Sequence, residues 1–149
     1  DGLVIRVSKV IDPNNPRFIE WARKFQIGQN VEAFCNLSAS LVPLDSLVDV
    51  MLAAVRESWN GIIHVSGPEE TSYSDIAVML ARGLGKKDEM VNPIRGKSKL
   101  IDSVSRHRTL RISKKVESLQ IDLPGTADII DRWCSNYLQR TRLSFDMKD

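Results

Sequence analysis

Histidine, cysteine and tyrosine are scarce in this 149-residue chain, with two of each. His64 and His107 are too few for a histidine-based metal site, and no carboxylates stand at spacings that would complete one. Cys35 and Cys134 lie far apart and lack metal-ligand spacing. Cys134 falls within an apolar helix pattern and reads as a buried free thiol, which fits a cytoplasmic location. No apolar run approaches the ~20 residues that span a bilayer, so no membrane partner is expected. The net charge is only +2, so no whole-molecule field points to nucleic acid. Neither a phosphate-binding P-loop nor a nucleophile elbow occurs. The opening DGLVIRV has no signal-peptide pattern and no Met, and suggests a piece of a longer protein. With 42% apolar and 27% charged residues the composition suits one soluble domain with a real core. No internal repeat or low-complexity segment is present.

The stretch that organises the chain runs from Trp59 to Gly85. Ile62, Ile63 and Val65 form a short run that is apolar on both faces, as in a strand covered on both sides of a parallel sheet. Gly67-Pro68 breaks it. Ser72 reads as an N-cap with Asp75 three residues on, close to a capping box. Ile76, Ala77, Leu80, Ala81 and Leu84 then recur at helical spacing, and Gly85 stands where a left-handed cap is expected.

The remaining elements follow the same logic. Residues 3–10 read as a strand ended by Asp12-Pro13; if Arg6 and Ser8 face water, it is an edge strand. Asn15 caps a helix that begins at Pro16, with Phe18, Trp21, Ala22 and Phe25 on one face. Residues 31–35 read as a short strand, and Asn36 to Pro43 as a polar turn entering another extended piece. Asp45 is expected as a simple N-cap of a helix over 45–58. Ser113 is expected to cap a short helix, and Thr126 the last one, over 126–139. Residues 1–139 form one α/β domain, and 140–149 a polar tail that frays. His64 reads as a satisfied core histidine.

One local charge bias stands out. Arg95, Lys97, Lys99, Arg106, Arg108, Arg111, Lys114 and Lys115 face a single acid, Asp102, within residues 95–115. This is the best anion-binding candidate in the chain, the alternative being a solvated basic loop.

The run Gly61-Ile62-Ile63-His64-Val65-Ser66-Gly67, followed by Glu69, Ser72-Tyr73, Asp75-Ile76-Ala77 and Leu84-Gly85, resembles the C-terminal half of sugar-nucleotide reductases and epimerases. These belong to the extended short-chain dehydrogenase/reductase superfamily, and the dTDP-4-dehydrorhamnose reductase branch is the nearest match. Gly28, Val31, Ala33, Phe34 and Asn36 fit the next motif upstream. Ser40 keeps a serine of the segments that approach the nucleotide-sugar, while Ser38 or Ala39 stands where many epimerases carry arginine. The segment from Ser105 to Lys114 resembles a loop near the substrate, without its proline and with Arg111 in place of the usual Asp. The resemblance spans roughly residues 2 to 135.

The fold implied is α/β, the C-terminal substrate-binding half of an extended short-chain reductase in the NAD(P)-binding Rossmann-like superfamily. Its substrate contacts would be Asn36, Ser40, Arg106, His107 and Arg108. Two parts of the nicotinamide chemistry are missing. No strand here leads into a glycine-rich turn: Gly83-Leu84-Gly85 closes a helix pattern instead. No Tyr-x-x-x-Lys pair exists either, because Tyr73 is followed four residues on by Ala77 and Tyr137 by Thr141. No catalytic residue and no cofactor are therefore expected in this chain, and NAD(P) is implied for a longer parent whose upstream domain would hold it. Three functions remain open. The first is the nucleotide-sugar-binding part of a reductase or epimerase, inactive alone. The second is a non-catalytic regulatory or scaffolding module of the same fold. The third is a nucleic-acid binder using residues 95–115, against which stands the lack of interleaved aromatics. Strand 3–10, without its neighbour from the cofactor domain, is expected to self-associate.

Overall fold

The computed structural model describes residues 2–96 and 110–146. It is a mixed α/β fold in which three of the four strand pairs are parallel. β1 (Leu3–Val7) pairs with β6 (Gly61–Val65), with Leu3 opposite Gly61 and Val7 opposite Val65. β2 (Lys9–Ile11) pairs with β5 (Leu41–Pro43), and β3 (Val31–Phe34) with β8 (Val91–Ile94). β4 (Ser38–Ala39) and β7 (Thr71–Ser72) form the antiparallel pair. The strand expected over 3–10 is thus two strands. Ser8 breaks it, because its N–H donates to Val65 O at 3.1 Å while the next N–H, of Lys9, donates to Ser40 O at 3.0 Å. Successive strand amides point to opposite sides, so the chain leaves β6 on one side and takes up β5 on the other.

The helices are α1 (Pro16–Gln26), α2 (Leu44–Arg56), α3 (Tyr73–Gly83), the short α4 (Lys114–Glu117) and α5 (Thr126–Asp146). Asn15 caps α1 through Oδ1, which accepts from Phe18 N at 3.2 Å. Ser72 caps α3 by accepting from Asp75 N at 3.1 Å. Gly28 and Gly85 close helices at positive φ, where a Cβ would be strained.

Three expected caps are corrected. Asp45 does not cap α2: Pro43 occupies that position, and the Asp45 carboxylate lies in the first turn, 3.5 Å from Arg132 Nη1. Ser113 precedes α4 without a side-chain cap, because its Oγ is turned to β6, where it accepts from His64 N at 2.9 Å. Thr126 is the first residue of α5, and the cap comes from across the fold: Glu69 Oε1 accepts from Thr126 N at 2.6 Å. The last helix also continues through the segment expected to fray, with Thr141 Oγ1 donating back toward Tyr137 O and Leu138 O. β8 has no counterpart among the strands expected from the sequence. Pro93 disguises it, and a proline is tolerated because β8 pairs on one side only, with β3, among the described residues.

Two apolar clusters form the core. The larger joins Phe18, Trp21 and Phe25 of α1 to Ile76 and Leu80 of α3 and to Ile130 and Trp133 of α5. Trp133 packs edge-on to Phe18 and stacks on Tyr137. The smaller gathers Val42, Val50, Ile63, Val65 and Val116, with Leu3, Ile5 and Val7 against it. Only one face of the β1–β6 pair is covered this way. Ile62, expected inside a doubly covered strand, is 57% exposed, and Val4 beside it is 53% exposed.

Helices α3 and α5 approach closely at Gly83, where a Cβ would stand 2.7 Å from Cys134 Sγ. Burial, helped by Asp131, pushes the Cys134 thiol up to about 12. In the folded protein only the exposed Cys35 should react with a thiol reagent at neutral pH, and the second thiol should appear on denaturation; two fast-reacting thiols in the native state would refute the packing. Gly67 has no room either, since a Cβ there would lie 2.2 Å from Leu41 O. Gly67→Ala must push β5 away from the β6–α3 connection and should cost about 1–3 kcal/mol in chemical denaturation, the range of an overpacked core.

Candidate functional site

The switch at Ser8 opens a crevice at the carboxyl end of β1, the kind of place where open α/β sheets take ligands. Ser8 Oγ donates to Ser40 O at 2.8 Å, so one carbonyl receives both the Ser8 hydroxyl and the Lys9 amide. A cleft of about 230 Å³ lies here, lined by Val7, Ser8, Lys9, Ala39, Ser40 and Tyr73. β4 and β7 meet alongside it, with Ser38 opposite Ser72 and Ala39 opposite Thr71, and Tyr73 is anchored there by its N–H to Leu37 O at 3.0 Å. The Arg17 guanidinium rests 5.1 Å from the centre of the Tyr73 ring and 5.9 Å from that of Trp21. Such stacking fixes a cation's position while leaving its donors for another partner.

Ser40, expected as a substrate contact, is among the residues lining this cleft, but it is fully buried, and its carbonyl is what braces the two strands. Asn36 stands elsewhere, with its amide clasping a backbone. Nδ2 donates to Gly96 O at 3.3 Å, and Oδ1 accepts from Gly96 N at 3.2 Å. Asn36 therefore fixes the point from which the chain enters the basic stretch. Arg106, His107 and Arg108 lie outside the described residues. At the far end of that stretch the chain is fixed again, where Ser113 N donates to His64 O at 3.1 Å. Lys115 is held over the Trp59 ring at 5.6 Å. His64 itself is half-buried on β6, and its Nε2 has no partner among the described residues, unlike the satisfied core histidine expected.

Sequence reading missed Ser8, Lys9, Arg17 and Tyr73. Ser8 is the break before β2, which begins at Lys9, while Arg17 is on α1 and Tyr73 on α3; the change of strand partner brings Ser8 and Lys9 to Tyr73, and Arg17 joins through the Tyr73 ring. A second cavity, of about 430 Å³, lies between α2 and α5; Ile11, Leu44, Val48, Ile129 and Trp133 line it together with three acids, Asp12, Asp45 and Asp49, against one cation, Arg132. Its carboxylates would repel a diphosphate, whereas Lys9 at the smaller cleft would attract one. Among the described residues no group of three His, Cys, Asp or Glu could hold a metal ion. No described helix is long and apolar enough to cross a membrane.

No family model and no curated protein matches the sequence. Solved structures do match in fold. The dTDP-glucose 4,6-dehydratase of Bacillus anthracis, in complex with NAD, superposes with a TM-score of 0.75 at 11% identity, over 92% of this chain and 44% of that one. The dTDP-4-dehydrorhamnose reductase of Bacillus anthracis, in complex with NADP, gives 0.70 at 13% identity, over 88% and 47%. The UDP-glucuronic acid 4-epimerase of Bacillus cereus, in complex with UDP-glucuronic acid and NAD, gives 0.70 at 18% identity, over 92% and 45%. The chain spans under half the length of each of these neighbours. Its fold is accordingly a mixed α/β arrangement with parallel strand pairs, shared with a part of each of these structures and in keeping with the α/β fold that the sequence resemblance implied.

Proposed function

We propose that this chain is the nucleotide-sugar-binding part of an NAD(P)-dependent sugar-nucleotide reductase or epimerase, whose cofactor is held by an upstream domain. The observation that carries this reading is the crevice at the carboxyl end of β1, with Lys9 and Tyr73 among its lining residues. A diphosphate needs cations and hydroxyl or amide donors around it. Lys9 and Arg17 supply cations from the described residues, and Arg106, His107 and Arg108 are assigned to the same anion. Asn36 serves as the clasp that launches the basic segment, and Ser40 as the brace beneath the cleft. The reading gains support from the fold neighbours, whose own structures hold NAD, NADP or UDP-glucuronic acid.

Binding of dTDP- and UDP-sugars to the purified chain should be weak, because under half of the neighbours' fold is present. A charge-assisted contact contributes about 1.5–3 kcal/mol. Lys9→Ala, and Arg106→Ala with Arg108→Ala, should therefore each abolish the residual binding in a calorimetric titration. Affinity equal to that of the unaltered chain would remove those side chains from the site.

Redox turnover should be nil. The tyrosine that would pass a proton needs a lysine four residues on to lower its pKa, and neither tyrosine has one. Following NAD(P)H absorbance with each nucleotide-sugar checks this. Turnover that stays with the chain through repeated purification would overturn the reading of an inactive part.

A further inference from the structure

A groove between α1 and α5 takes no part in the cleft at Ser8. It encloses about 680 Å³, a size that suits a small organic ligand. Pro13, Ile19 and Tyr137 give it an apolar lining, and Arg23 of α1 and Arg140 of α5 line it too. No residue of β1, β6 or α2 lines it, nor does any residue assigned to the nucleotide-sugar.

The polar groups of this groove do not balance. Asn14 Oδ1 accepts from Arg140 Nη1 at 3.1 Å, and Gln26 Oε1 accepts from the Tyr137 hydroxyl at 3.2 Å. The carboxamide oxygens of the lining are thus taken by its own donors. Donors are left over. A guanidinium carries five N–H groups. Among the described residues Arg140 uses one of its own on Asn14, and Arg23 forms no ion pair. Glu20, the acid one turn before Arg23, is held by Lys24 at 2.7 Å. Residues 136–144, which surround Arg140 on α5, contain no acid at all. No carboxylate lines the groove, so nothing in it offsets the repulsion of the two guanidiniums.

We propose that this groove binds a small organic phosphate monoester, with the phosphoryl group between Arg23 and Arg140 and the apolar body against Ile19 and Tyr137. Charge decides the class. A phosphate monoester carries about −1.5 to −2 at neutral pH and matches two guanidiniums, whereas a carboxylate leaves one of them uncompensated. The walls are prepared for it. Asn14, which steadies Arg140, has its own N–H tied to Asp12 Oδ1 at 2.6 Å. The Tyr137 ring is stacked on Trp133 with centroids 5.1 Å apart, and Ile19 packs against the same core cluster. Groups already fixed lose little freedom when a ligand arrives.

Calorimetric titration of the whole chain with phenyl phosphate, benzoate and inorganic phosphate tests this. Phenyl phosphate should bind one to one and at least about fivefold tighter than benzoate, which lacks the second charge, or inorganic phosphate, which lacks the ring. Arg23→Gln and Arg140→Gln alter exposed side chains, so circular dichroism should not change. Each should weaken phenyl phosphate by at least about tenfold. Arg140→Lys should weaken it as well, because an ammonium keeps the charge and loses the planar fork. Lys9→Ala, at the other cleft, should leave the dissociation constant unchanged. Loss of phenyl phosphate in Lys9→Ala would put the anion in that cleft and overturn the proposal without touching the nucleotide-sugar reading. Affinity indifferent to Arg23 and Arg140, or fully kept in Arg140→Lys, would reduce the groove to a general positive field and overturn it. Equal affinity for phenyl phosphate and either of the other two anions would overturn it too.

Discussion

Two backbone hydrogen bonds at adjacent residues set the architecture. Ser8 N–H reaches Val65 O, and Lys9 N–H reaches Ser40 O on the opposite side. Because neighbouring strand amides diverge, the line of β1 and β2 passes from one partner to another without turning. Each half of the fold is positioned by this. β6 and the covered face of the smaller core follow from the first bond, and β5, α2 and the cleft follow from the second. The Ser8 hydroxyl on the same Ser40 carbonyl ties the divergence shut, and burying Ser40 completely keeps water from competing for it.

The distribution of apolar surface separates what this chain does for itself from what it leaves undone. The larger cluster is sealed, with aromatic rings from α1 and α5 locking together around Phe18 and Trp133. The smaller cluster covers one face of β1–β6 and no more. Strands with Val and Ile on both faces are built to be covered twice, yet Val4 and Ile62 stand in the open. Among the described residues the uncovered apolar surface thus gathers on the β1–β6 pair and on the outer face of α2.

Legibility in the sequence followed the range of the forces involved. Helices α1, α2 and α3 were readable because spacing, Asn15, Ser72 and the terminal glycines are local signals. The caps misread at Asp45, Ser113 and Thr126 share one feature: each side chain has a partner far away in the sequence, Arg132, His64 N–H or the Thr71 hydroxyl. The same applies to the cleft. The resemblance singled out Ser40 as a substrate contact, whereas Lys9 and Tyr73 line one cleft only after the strands have changed partners. Asn36 was legible as a residue of interest and not as a clasp, because Gly96 lies far down the chain.

The parallel registers carry a consequence for how the chain reaches this state. Leu3 finds Gly61 and Val31 finds Val91, so no ladder of these pairs can begin as a hairpin. Loops must close before any pairing rewards them, and such topologies fold slowly, with local helices forming well ahead of the sheet. During that interval α2 presents its whole apolar circumference, Val50 and Ala54 as well as the outer face. Slow assembly of β1 with β6 then sets how long the chain is vulnerable to sticking to its neighbours, a clock written by strand order rather than by stability.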